Sequence, residues 1–133
     1  MNIIITYKEI SDFIEHKFKI RPTFSSVNKN ILNVSYKPVA FIPSIDIKFV
    51  IDEISDDSVS ISYDCSAAAA LMIAGVVTYL NENIPNGVDV NTTDRKVKIY
   101  PQQIEQVEKA LEYVALSDIT FDENSINIAL LLI

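Results

Sequence analysis

The chain has 133 residues, 49% of them apolar, with a formal charge of −7 and a pI near 4.5. That length suits one domain over residues 1–133 with a real core, and the acidity works against a nucleic-acid backbone or an anionic membrane surface as partner. A lone cysteine, Cys65, and a lone histidine, His16, rule out an intrachain disulfide and a soft-metal site, so no metal or other cofactor is expected.

The N-terminus, Met-Asn-Ile-Ile-Ile-Thr-Tyr-Lys-Glu, lacks the basic region and long apolar core of a signal peptide, which makes the cytoplasm the expected compartment. Thr6 followed by Glu9 has the form of a capping box. Ile10, Phe13, Ile14 and Phe18 then recur at helical spacing, predicting an amphipathic helix over Tyr7 to Phe18 that Arg21-Pro22 terminates. Thr23 to Val27 and Ile31 to Lys37 read as strands about the reversal Asn28-Lys29-Asn30. Pro38 and Pro43 bracket a strand edge or connection. Ile45, Ile47, Phe49 and Ile51 alternate with polar residues, and the pattern resumes at Val59, Ile61 and Tyr63 after Ser55-Asp56-Asp57-Ser58. This is the clearest hairpin in the chain, with one buried and one wetted face.

From Ala67 to Val77 no side chain is polar. The run is too short to span a bilayer, which takes about 20 residues, and a helix apolar on every face is normally buried on every face. It therefore predicts a buried central helix over residues 66–82, in the concavity of a sheet. Pro85 and Gly87 close it. Val88, Val90, Val97 and Ile99 form a small hairpin around Asn91-Thr92-Thr93-Asp94. Pro101 opens a further amphipathic helix over residues 101–115, whose stripe is Ile104, Val107, Ala110, Leu111 and Val114. A final hairpin runs from Leu116 to Phe121 and from Ile126 to Leu132. Both faces are apolar from Ala129 to Ile133, so that tail is central in the sheet, paired in a dimer, or facing something greasy. The layout is α+β: one domain with a mostly antiparallel, curved sheet wrapped around the central helix.

Chemistry is legible mainly as exclusions. Two glycines, Gly75 and Gly87, cannot write a phosphate-cradling loop, a dinucleotide fingerprint or a nucleophile elbow. No nucleic-acid footprint is present, because acids flank the densest basic cluster, Lys17, Lys19 and Arg21. His16 follows Asp12 by one helical turn and reads as a solvated surface pair. Asp52, Glu53, Asp56 and Asp57 crowd one hairpin end, but their spacing matches no calcium loop. Glu105, Glu108 and Glu112 form a wet helical stripe. No catalytic residue is assigned.

The stretch Asn-Glu-Asn-Ile-Pro-Asn-Gly-Val-Asp-Val, then Val-Lys-Ile-Tyr-Pro, then the hairpin strands Leu-Ser-Asp-Ile-Thr-Phe and Ile-Asn-Ile-Ala-Leu, resembles small bacterial lipid-binding-like domains of the tubular class. The resemblance covers Asn81 to Leu130 and implies curved antiparallel sheets that wrap a helix and hold apolar ligands between.

Three functional expectations follow. The first is a non-catalytic binding or assembly module that self-associates, or meets a protein partner, through its apolar C-terminal strand. The second is a carrier of an apolar small molecule held between the central helix and the sheet. The third is an enzyme using carboxylates alone. The mean hydropathy of +0.21 is high for a small domain and supports the first two. The residues singled out for such a groove or interface are Phe49, Leu71, Met72, Leu130 and Leu132.

Overall fold

Alternation of apolar and polar residues builds the main sheet. The computed structural model describes residues 1–37, 44–79 and 84–133. Its strands are β1 (Asn2–Thr6), β2 (Thr23–Asn28), β3 (Ile31–Tyr36), β4 (Ile45–Ile54), β5 (Val59–Cys65), β6 (Val88–Asn91), β7 (Lys96–Ile99), β8 (Val114–Phe121) and β9 (Ser125–Leu132). Helices α1 (Tyr7–Phe18) and α2 (Ala67–Tyr79) precede a short α3 (Glu105–Glu108), which lies between 3-10 turns at Pro101–Gln103 and Ala110–Glu112. The fold is α+β with antiparallel pairing, as the patterning predicts. The piece between Pro38 and Pro43 and the end of the central helix lie outside the described residues.

The strands form two sheets. Six strands run in the order β2-β3-β4-β5-β7-β6, and three in the order β1-β9-β8. In the six-stranded sheet Leu32 stands opposite Phe49 and Phe49 opposite Tyr63. Ile51, Ile61, Val97 and Val90 likewise share one face across four strands. The other face carries Ser35 hydrogen-bonded to Asp46, and Ser62 donating to Asp52 at 3.0 Å. One apolar and one wet face is what a period of two residues produces when a single layer covers the sheet.

Strand β1 has no counterpart in the sequence reading. Asn2–Thr6 is a short apolar run that periodicity alone does not classify, and it becomes a strand because β9 offers it an edge, with Ile3 opposite Ile128 and Ile5 opposite Ile126. This places β9 in the middle of the three-stranded sheet, the first of the three environments open to the apolar tail. Leu131, Leu132 and Ile133 nevertheless stay exposed.

The two sheets meet over a core of Tyr7, Leu32 and Phe121, packed by Ile10, Phe24, Val34, Ile51 and Ile126. Tyr7 stacks on Phe24 with ring centroids 6.0 Å apart and donates its hydroxyl to the Asp122 carbonyl at 2.6 Å. Burial, and then the nearby Asp122 carboxylate, hold the Tyr7 phenol above its usual range. Ser26 donates to the Phe121 carbonyl at 3.0 Å, and the Phe121 amide donates to Lys29 at 2.9 Å, so the seam is hydrogen-bonded as well as packed. Helix α1 begins with the expected capping box between Thr6 and Glu9 and ends at Lys19, which is left-handed at φ 61°. A cap of this kind contributes about 1 kcal/mol.

Two predicted helices differ from expectation. The central helix forms, but it is not buried or wrapped by the sheet: among its described residues only Ala69 is buried, while Leu71 is 76% and Tyr79 85% exposed. The cause is topological. A sheet covers one side of a helix, and the β1-β9-β8 layer packs on the six-stranded sheet, against residues of β2 to β5 and β7, rather than on α2. The helix over residues 101–115 is broken into turns, because Ile104 is extended (φ −86°, ψ 115°). The Tyr100 amide donates to the Gly87 carbonyl at 2.6 Å where the chain leaves β7, four residues before the break.

Candidate functional site

The alternating strands of the two sheets face each other across a groove of about 320 Å³. Val59 and Ile61 of β5 and Ile99 of β7 form its floor. Ile3 of β1, Ile128 and Leu130 of β9, and Leu116 and Ile119 of β8 form the facing wall. The register makes that wall continuous, since Ile3 lies opposite Ile128, Ile128 opposite Ile119, and Leu130 opposite Leu116. Pro101, Ile104, Val107, Ala110, Leu111 and Val114 close the third side. The stripe read at helical spacing thus reaches the groove intact, although turns rather than one helix deliver it. Val59, at 2% exposure, is the largest fully buried side chain among the described residues.

Every residue lining this groove is apolar. The strand backbone around it is paired in the two ladders, so a guest meets hydrocarbon alone. Water in such a space forfeits hydrogen bonds, and apolar molecules replace it readily. The groove can therefore select by shape and apolar area. It offers no group that could orient a polar substrate, move a proton or attack a bond.

Of the residues singled out from sequence, Leu130 alone lines the groove. Phe49 lies on β4 against Tyr63, ring centroids 6.3 Å apart. Leu71 and Met72 project from the exposed side of α2, and Leu132 is exposed at the end of β9. The open apolar space lies between the sheets, and α2 contributes none of its lining. Val59 and Ile61 were legible as the buried face of their hairpin, but nothing local says that this hairpin faces the strands carrying Ile119 and Ile128.

The polar features arrange differently. Asp52, Glu53, Ser60, Ser62, Lys96 and Lys98 line a depression of about 460 Å³ on the wet face of the six-stranded sheet, where acids and bases interleave. Asp57 accepts from the Ser55 hydroxyl at 3.0 Å within its turn. Among the described residues no three His, Cys, Asp or Glu side chains converge as a metal site would require. Asp12 is engaged by Lys8 at 2.8 Å and Arg21 at 2.7 Å, and those hydrogen bonds, Lys8 first, hold its carboxyl below the usual range. His16 is exposed in the last turn of α1. Cys65 is half-buried, and its carbonyl accepts from Arg95 at 2.9 Å. No described helix is long and apolar enough to cross a membrane.

Comparison with protein-family models, with curated proteins and with solved structures finds no match.

Proposed function

We propose that this chain is a non-catalytic binding module whose groove holds a single apolar chain or a molecule of similar shape. The observation that carries the reading is the composition of the groove wall: fourteen residues from two sheets and the intervening turns, none of them polar. Its volume of about 320 Å³ falls at the small end of ligand pockets, which suits one alkyl chain rather than a bulky ring system. The sequence resemblance to lipid-binding-like domains points the same way. An enzyme using carboxylates alone gains no support from this geometry, because no acid lines the groove.

At about 0.8 kcal/mol per buried methylene, eight methylenes contribute ~6 kcal/mol, which corresponds to a Kd of tens of micromolar. Decyl maltoside, whose neutral headgroup avoids repulsion by the acidic chain, is a suitable probe below its micellar concentration. Titration calorimetry is expected to give one site of that affinity with a negative heat-capacity change. Native mass spectrometry of protein purified from its own host is expected to show a bound apolar mass. Absence of both the calorimetric site and the bound mass rejects the proposal.

A further inference from the structure

Helix α2 is apolar around its whole circumference, yet only one stripe of it is covered. Ala69 is buried, and Ala70, Ile73, Ala74 and Val77 are half-buried on the side that meets β4. Ala68, Leu71, Met72, Gly75, Val76 and Tyr79 lie within an arc of about 140° on the opposite side, at 100° per residue, and all six are exposed. Gly75 and Ala68 sit near the middle of that arc, between the larger side chains. Thr78 returns its hydroxyl to the Ala74 carbonyl at 2.9 Å, which satisfies it within the helix.

We propose that this face of α2 is the contact surface for a second copy of this chain, the two helices crossing at Gly75. Three observations support it. The first is Gly75 itself. Glycine in a helix interior disfavours the isolated helix, Gly75 has no positive φ, and a Cβ built on it meets nothing within 4 Å. Neither backbone conformation nor packing within one copy accounts for it, whereas close approach of another backbone does. The second is area. Leu71, Met72, Val76 and Tyr79 leave on the order of 500 Å² in water, so a two-fold pairing buries on the order of 1,000 Å², the lower bound for a stable specific interface. The third is charge. Two copies at −7 repel overall, but Ala67–Tyr79 contains no charged residue, so this face meets its own copy without bringing like charges together. A lipid surface fits less well, because helices that lie on membranes carry Lys and Arg along their polar side.

The test is sedimentation velocity on the whole chain with three variants, each checked for folding by circular dichroism. The wild type is expected to be dimeric at 100 μM, on the order of the protein concentrations at which weak dimers form, and to tighten as salt is raised and the repulsion is screened. Met72→Lys is expected to weaken the dimer about tenfold or more. Gly75→Ala is expected to raise the melting temperature through helix propensity while weakening the dimer several-fold, two effects of opposite sign that a merely structural glycine would not give. Leu131→Lys, on the exposed end of β9, is expected to leave the dimer intact. A monomeric wild type, a dimer that survives Met72→Lys, a dimer unaffected or tightened by Gly75→Ala, or a dimer lost in Leu131→Lys overturns the proposal. So does cosedimentation of the wild type with phosphatidylcholine vesicles that Met72→Lys abolishes.

Discussion

Val114 stands at the entrance to β8, half-buried, opposite Leu132 and on the wall of the apolar groove. Replacing it with phenylalanine extends the side chain into space that the protein leaves open. The ring adds about 50 Å² of buried apolar surface, worth ~1.2 kcal/mol at 25 cal/mol per Å². Ordering the larger side chain costs about 0.5 kcal/mol, and β propensity is neutral, since valine and phenylalanine both suit strands. The net expectation is a stabilisation of about 0.7 kcal/mol, read as a higher urea midpoint with unchanged m-value and as a rise in melting temperature of about 2–4 °C. Because the ring occupies the volume a guest would use, affinity for decyl maltoside is expected to fall at least about tenfold, or ~1.4 kcal/mol. The reasoning is refuted if Val114→Phe destabilises by the 1–3 kcal/mol typical of overpacking while probe affinity holds, since the space would then not be free for a guest.

Two further predictions concern the frame that holds the groove. Gly87 has φ +90°, and a Cβ there would lie 2.7 Å from the Tyr100 carbonyl oxygen, so Gly87→Ala is expected to lose about 3 kcal/mol in urea unfolding, from the left-handed backbone and the displaced β7 exit together. Tyr7→Phe removes the 2.6 Å bond to the Asp122 carbonyl and is expected to cost about 1 kcal/mol near neutrality. The folded-state Tyr7 phenol titrates above its unfolded value, so its contribution is complete below pH about 10 and is lost as pH rises through the folded value. Wild-type and Tyr7→Phe stabilities are therefore expected to converge above that pH in pH-dependent thermal unfolding, and a constant difference would contradict the assignment.

Local pattern carried much of the fold into view. The four consecutive strands from Thr23 to Cys65 form a meander as their alternation implies, because a two-residue period and short turns leave neighbouring segments little choice but to pair. The bounds of α1 follow from the Thr6–Glu9 cap and the stop before Pro22, both local signals. The stripe Ile104, Val107, Ala110, Leu111 and Val114 was likewise legible as one apolar surface, and it reaches the groove even though the backbone beneath it is broken. Helix α2 was the least informative element in this respect. With eleven consecutive apolar residues, Ala67 to Val77, its sequence carries no direction, so it cannot state which stripe meets a sheet.

The sequence by itself determined that the chain is α+β and antiparallel, where its strands turn, and which commonplace nucleotide and metal motifs it lacks, since all of these depend on residues within a few positions of one another. Only the tertiary structure decided that β1 pairs with β9, that the resulting three-stranded sheet packs on the six-stranded one, and that α2 is left with one side uncovered. Those outcomes hang on contacts between residues as far apart as Ile3 and Ile128, whose pairing competes with other apolar edges of nearly equal hydrophobicity. Burial is non-directional, and the choice among such edges belongs to the whole chain rather than to any stretch of it.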